Sequence, residues 1–214
     1  MKVLITGFDP FGGESVNPAY EAVKLLPDTI AGAQIIKIEV PTVFGESSIK
    51  VQEAIATHNP NIVICVGQAG GRPSISVEAV AINLIEARIP DNKGNQPLGT
   101  PVQEDGPAAY FSTLPIKAMV KQVHDNNLPA FISYSAGTFV CNEIMYNLLY
   151  HLAHKHPDIK GGFIHVPFET GQVIKQSATT ASMSLDTIAK SLEHAIEAAV
   201  TTEDDITLNV GTTH

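Results

Sequence analysis

Short apolar runs alternate along this chain with amphipathic stretches at helical spacing, and turn residues separate them. Lys2 to Phe8 is rich in apolar and β-branched residues with little alternation, the pattern of a strand buried on both faces. Asn17-Pro18 opens a helical pattern carrying Ala22, Val23, Leu25 and Leu26, which Pro27-Asp28 ends. Gln34 to Val43 predicts a second strand. Ser47 or Ser48 can cap a helix through Ile49, Val51, Ala54 and Ile55, closing near His58-Asn59-Pro60. Ile62 to Val66 predicts a third strand, and Ser74 to Arg88 predicts strand, continuous or in pieces. Pro90 to Gly106 is full of Pro, Gly, Asn and Asp and reads as a long loop, a feature that is uncommon inside a compact domain and often functional.

Leu114-Pro115 starts a helix through Ile116, Met119, Val120 and Val123. Ala130 to Tyr134 is a strand that hands over, through a turn containing Gly137, to a helix from about Asn142 to His156-Pro157. Gly162 to Phe168 is a strand broken at Pro167, and Leu185 to Val200 is the last helix. The tail, 201–214, is polar and expected to fray in part, with Ile206, Leu208 and Val210 available to dock. Strands and helices alternate without an internal repeat. The expected fold class is α/β, a mostly parallel twisted sheet with helices on both faces, in a single domain over residues 1–214. Sites in such sheets gather at the carboxyl ends of strands. Phe8, Gln68, the loop before Cys141, and His165 would all lie near such ends.

Composition narrows the function classes. The 214 residues are 44% hydrophobic and 16% charged, which fits a soluble globular domain. The net charge of −9, with no block of lysines or arginines, argues against nucleic acid as a partner. No apolar run approaches membrane-spanning length, and the run at Met1 to Gly7 stops too soon for a signal peptide, so no membrane association and a cytoplasmic location are expected. The two cysteines, Cys65 and Cys141, are then expected to be reduced.

The two thiols differ in context. Cys65 lies in the apolar run Asn61 to Gly67 and reads as a small buried hydrophobe. Cys141 sits where the chain enters a helix, and free amide N–H groups at a helix N-terminus favour the thiolate. A nucleophilic thiol needs a base. Of the eight histidines, most fall at helix ends or on polar faces. His151, His154 and His156 invite a metal reading, but they lack a carboxylate at zincin spacing, and interaction with the helix end accounts for them. His165 differs: it lies inside the apolar strand Phe163 to Phe168, where it is either a core histidine bonded to backbone or a catalytic base. Glu78, within Ile75 to Ile82, would share a strand face with Val80 and Ile82 and therefore needs a partner. That partner is either Arg72 or Arg88, or His165, whose ring it would orient as in a nucleophile–base–carboxylate triad. Ser135 is a rival nucleophile, since Ser133-Tyr134-Ser135-Ala136-Gly137 approximates G-x-S-x-G with its first glycine missing. The loops Gly7 to Gly13 and Gly67 to Arg72 miss both the phosphate-loop and the dinucleotide fingerprints.

Together these motifs resemble the pyroglutamyl peptidase type I family. The matching stretches are Thr6 to Gly13 with Asn17-Pro18, Gly67 to Arg72, Glu78 with Ala81-Ile82-Asn83, and Ala87 to Asn92 with Gly94 to Pro97. Ser135 to Asn142 and Phe163 to Pro167 complete a set that runs in order through most of the chain. The resemblance implies a cysteine peptidase that removes N-terminal pyroglutamyl residues from peptides, with Cys141 as nucleophile, His165 as base and Glu78 as orienter. It implies substrate contacts from Phe8, Phe11, Asn17, Gln68, Phe139 and Val140, with Arg88 helping to organise the site. No metal or cofactor is expected, and a homo-oligomer, often a tetramer, is. Phe139 stands where the family commonly has tyrosine. A neutral lactam needs flat apolar walls and a few amide partners. Phe8 and Phe11 can supply the walls, and Gln68 and Asn17 the polar contacts.

Overall fold

The computed structural model describes residues 1–209. Strand β1 (Lys2–Phe8) is buried at every position after Lys2, as its unbroken apolar run demands. The loop after it leads to α1 (Pro18–Leu25), whose first turn is capped by Asn17 accepting from the Ala19 N–H. Then come β2 (Thr29–Ile30), β3 (Ala33–Val40) and α2 (Glu46–His58). The expected serine cap of α2 is not made. Gly45 holds the cap position at φ 77, and Ser47 and Ser48 lie inside the helix with their hydroxyls directed at the buried Glu143 carboxylate.

After β4 (Ile62–Gln68), the stretch Ser74 to Arg88 comes in three pieces, β5 (Ile75–Glu78), β6 (Val80–Ile82) and β7 (Ile85–Glu86). Glu78 therefore does not share a continuous strand with Val80 and Ile82. The long loop contains a short strand of its own, β8 (Leu98–Thr100), paired with β7, and β9 (Ala109–Phe111) pairs with β6. The chain continues through α3 (Ile116–Asp125), β10 (Ala130–Ser133), α4 (Val140–Lys155) and β11 (Lys160–Val166). Beyond Pro167 lie β12 (Phe168–Glu169), β13 (Ser182–Met183) and α5 (Leu185–Thr201). The polar tail is tied down before residue 209. The Asp205 carboxylate accepts from the Lys117 and Ala118 N–H groups at the start of α3, which has no side-chain cap of its own. Ile206 packs against the core and Leu208 is half-buried. Val210 and His214 lie outside the described residues.

The main sheet has the order β10-β5-β11-β4-β1-β3-β2. Its centre, β11, β4, β1 and β3, is parallel. β5 runs antiparallel to β11, and β10 runs parallel to β5. Period-two alternation sends each strand's side chains to two cores. Ile164, Val166 and Val77 pack with α1, α3 and α5, while Phe163, Cys65 and Leu4 pack with α2 and α4. The reversal of β5 and β10 has a direct effect on the site. Ser133, the last residue of β10, pairs with Glu78, which pairs with Phe163 in the middle of β11. Residues 134–139, with Gly137 at φ 80, therefore bring the chain back to the carboxyl ends of β4 and β11 before α4 begins, which is the expected hand-over from strand to helix through a glycine-bearing turn, with the helix starting at Val140 rather than near Asn142.

Candidate functional site

Three neighbouring strands set the site by register. His165 pairs with Gly67 on one side and with Ser76 on the other. It alternates with Ile164 and Val166, so it faces α2 and α4 together with Phe163. Gly67 leaves the neighbouring position on that face without a side chain, and the sulfur of Cys141, the second residue of α4, takes the space. A Cβ built on Gly67 would lie 2.9 Å from Cys141 Sγ and 2.7 Å from the Phe163 ring. The thiol therefore lies over β4, on the face of the sheet that carries the His165 side chain and against the strand neighbour of His165.

Behind His165 stands Glu78, fully buried. His165 Nδ1 donates to Glu78 Oε1 at 2.7 Å, which leaves Nε2 as the free acceptor nitrogen. Arg72 donates to the same oxygen at 2.6 Å, and also to the Ser76 hydroxyl and, at 3.3 Å, to the Ser135 carbonyl. Of the two partners open to Glu78 from the sequence, arginine and histidine, the structure supplies both. Arg72 fills the arginine role and Arg88 does not.

The charges follow from burial and pairing. Burial pushes the Glu78 carboxyl up, but the hydrogen bond and charge of His165, helped by Ser133 and Arg72, bring it below its ordinary value. Burial lowers the affinity of His165 for a second proton, and Glu78 only partly restores it. Burial, reinforced by the Glu78 charge and opposed by Arg72, pushes the Cys141 thiol up to about 12. Burial and the amide dipoles of the helix N-terminus thus act on the half-buried thiol in opposite directions, burial disfavouring the thiolate and the dipoles favouring it. These directions favour a thiol, a neutral imidazole with Nε2 unprotonated, and a carboxylate. Cys65 is pushed up to about 12 by burial, and among the described residues it has no histidine partner.

Cys141 and His165 open into a cavity of about 460 Å³. Phe8, Phe11, Asn17, Gln68 and Phe139 all line it. The Phe139 ring meets Phe44 edge-on at 5.2 Å and lies 6.4 Å from Phe11, so the aromatic wall is braced from behind. Gln68 accepts from Gln172 through Oε1 at 3.0 Å, and its amide NH₂ has no partner among the described residues. Asn17 is less available than expected, since its Oδ1 caps α1 and its Nδ2 donates to the Asp9 carbonyl. Two expected contacts fall elsewhere. The Val140 side chain is wholly buried in the core between the sheet and α4, and Arg88 is exposed on a neighbouring cleft. Ser135 Oγ accepts from the Gly137 N–H at 3.2 Å and bonds no histidine, which makes it part of the turn that precedes α4.

Sequence reasoning missed Thr42, which also lines the cavity, and the brace beneath it. The Thr42 N–H donates to Asp9 Oδ1 at 2.7 Å, and Asn92, from the long loop, donates to the Asp9 carboxylate and the Pro10 carbonyl. The long loop thus clamps the segment that carries Phe8 and Phe11. The one available signal was the density of Asp and Asn in both segments. Among the described residues, no group of three or more His, Cys, Asp or Glu is placed to hold a metal ion, and no helix is long and apolar enough to cross a membrane.

The chain is similar to known proteins along most of its length. The family model described as pyroglutamyl peptidase matches residues 1–202. The pyrrolidone-carboxylate peptidase of Enterococcus faecalis is 66% identical over 214 residues, covering all of both chains. That of Clostridium perfringens is 57% identical over 206 residues, 96% of each chain. The crystal structure of pyroglutamyl peptidase I from Bacillus amyloliquefaciens superposes with a TM-score of 0.94 at 52% identity, covering 97% of this chain and 99% of that one.

Proposed function

The chain belongs to the pyroglutamyl peptidase family, whose members are cysteine-type peptidases, and we propose that it removes the N-terminal pyroglutamyl residue from peptides through Cys141, His165 and Glu78. The observation that carries this reading is the 2.7 Å hydrogen bond from His165 Nδ1 to Glu78, made at the edge of the cavity that holds the Cys141 thiol. The bond fixes the tautomer, so that Nε2 is the nitrogen left to accept a proton.

Cys141 Sγ attacks the pyroglutamyl carbonyl carbon, and its proton passes to His165 Nε2. The negative oxygen of the tetrahedral intermediate is met by the Cys141 backbone N–H, at the start of α4, and by a group of the neighbouring loop. The buried Glu78 carboxylate stabilises the imidazolium formed in this step. As the C–N bond breaks, His165 returns the proton to the leaving amine and a thioester remains. Water then adds to the thioester with His165 again taking the proton, which releases pyroglutamate and restores the thiol. These residues account for every proton transfer, so the proposal invokes no cofactor.

The cavity fits the lactam ring. Phe8, Phe11 and Phe139 offer flat apolar surface. The NH₂ of Gln68, without a partner among the described residues, would donate to the ring carbonyl. No carboxylate lines this cavity, consistent with a substrate that has no N-terminal ammonium to bind. Two further inferences accompany the reading. A free thiol nucleophile requires a reducing compartment, which supports a cytoplasmic location. Association of copies into a homo-oligomer such as a tetramer rests on the family resemblance alone, since single exposed apolar residues such as Phe111 and Ile174 do not make an interface.

The test is release of a fluorescent amine from a pyroglutamyl amide. Turnover that disappears on alkylation of Cys141, and that free pyroglutamate protects from alkylation, supports the reading. Absence of turnover, or turnover unaffected by complete alkylation of Cys141, rejects it.

A further inference from the structure

A second cleft, of about 600 Å³, opens beside the reaction cavity and shares Phe11, Gln68, Thr138 and Phe139 with it. Its other walls include Phe168, Ile89 and Gly70, with Arg88, Glu14 and Glu86 at an exposed rim. Phe168 stands three positions beyond His165 and is held from two sides. Its backbone pairs with Ser182 between β12 and β13. Its ring lies against the backbone of Gly70, where a Cβ would come within 2.1 Å of a ring atom. This is a preformed aromatic surface immediately downstream of the base, and the proposed reaction steps do not use it.

A pyroglutamyl substrate extends in one direction only, because its ring nitrogen is closed into the lactam and nothing precedes it. With the ring in the reaction cavity, the rest of the peptide leaves through the scissile amide, whose nitrogen must come within reach of His165. We propose that the second cleft binds the first residue of the leaving peptide and selects an apolar side chain there, with Phe168 as the principal wall and Ile89 as the second. The rim carries one cation and two carboxylates, so an incoming charge of either sign meets both attraction and repulsion, and the discriminating surface is the apolar one. The inference rests on the pyroglutamyl peptidase reading and adds to it a preference for the residue after pyroglutamate. It also gives Arg88 a place, on the leaving-chain side of the site rather than beside Glu78.

The experiment measures kcat/KM for a series of pyroglutamyl-X amides in which X is Phe, Leu, Gly, Asp or Lys, on wild type, Phe168→Ala, Phe168→Leu and Ile89→Ala. A pyroglutamyl coumarylamide is run on each preparation as the reference. Burial of one apolar group separates substrates by about tenfold or more. Wild type is therefore expected to favour Phe and Leu over Gly by about tenfold. Phe168→Ala should shrink that ratio at least threefold, Ile89→Ala should shrink it less, and Phe168→Leu should keep most of it. Should Phe168→Ala not fold, the last two variants decide the matter. A wild-type ratio near one, or a ratio unchanged in both Phe168→Ala and Ile89→Ala, overturns the inference while coumarylamide turnover leaves the peptidase reading standing. Failure of folded wild type to cleave any pyroglutamyl compound overturns both.

Discussion

Cys141 Sγ occupies the space that a side chain on Gly67 would need. A Cβ at position 67 would lie 2.9 Å from the sulfur and 2.7 Å from the Phe163 ring, and Gly67 is the strand neighbour of His165. The Cys141 thiol is therefore placed by the absence of a side chain on β4 as much as by the helix that carries it. Gly67→Ala should fold, since its conflict is with two side-chain tips, but it must displace the thiol or the ring. Displacements of about 1 Å at a reacting centre cost on the order of a hundredfold. The expected result is a fall in kcat of that size with a smaller change in KM, read from steady-state kinetics. Unchanged kcat would show that the contact does not position the thiol.

Arg72 and His165 converge on one oxygen of Glu78. Hydrogen bonds to charged groups contribute about 1.5–3 kcal/mol. Arg72→Met, which removes a donor from a buried carboxylate, should lower kcat about ten- to a hundredfold, and Arg72→Lys should recover part of the loss. Glu78→Gln is expected to cost more, because an amide can hold the ring in the wrong tautomer; the precedent for such a change is about 10⁴-fold. Equal effects of Arg72→Met and Arg88→Met would argue against the distinction drawn between the two arginines.

The acidic limb of kcat/KM reports the free enzyme. Burial holds the pKa of His165 below its ordinary value of 6.5, and the base works only when unprotonated. A lowered pKa keeps it unprotonated to lower pH, so the limb should have its midpoint below 6.5. A midpoint above 6.5 would mean that Glu78 outweighs burial.

Glu143, two positions after Cys141 on the same helix, is buried among Ser47, Ser48 and Asn147 and binds α4 to the start of α2. Burial raises its pKa from 4.5 to about 7, against the hydrogen bonds of Ser48 and Asn147. The folded protein thus binds this proton more tightly than the unfolded chain between those pH values. The Glu143 contribution to stability is largest below pH 4.5, declines as pH rises through the window, and levels off above 7. The full change is on the order of 3 kcal/mol. Burial of His165 acts in the opposite direction below pH 6.5, so the measurement is the difference in urea-unfolding free energy between wild type and Glu143→Gln from pH 5 to 8. Wild type should lose stability relative to the variant across the window, and a constant difference would contradict the assignment.

Most helices and central strands were legible in the sequence because their apolar spacing is local information. The last helix, expected over Leu185 to Val200, forms over Leu185–Thr201. Cys141, His165 and Glu78 stood out because each places a polar or reactive group where its neighbours are apolar. Features that depend on strand direction were not legible. The reversal of β5 and β10, which makes residues 134–139 travel back to the catalytic edge, is set by packing across the sheet and leaves no trace in periodicity. The same holds for side-chain aim: Val140 and Cys141 are adjacent, yet one enters the core and the other faces the cavity. The helix-terminus argument for a thiolate used the local dipole and could not count the burial that opposes it. Ser47 and Ser48 look like caps until the carboxylate that claims them, Glu143, arrives from nearly a hundred residues away.

The central claim is that the Cys141 sulfur, and not the nearby Ser135 hydroxyl, attacks the pyroglutamyl carbonyl. The most direct measurement is release of a fluorescent amine from a pyroglutamyl amide by wild type, Cys141→Ala and Ser135→Ala, each shown to be folded by circular dichroism. Wild type and Ser135→Ala should turn over, and Cys141→Ala should not rise above the uncatalysed rate. Turnover by Cys141→Ala, or its loss in Ser135→Ala alone, would contradict the account.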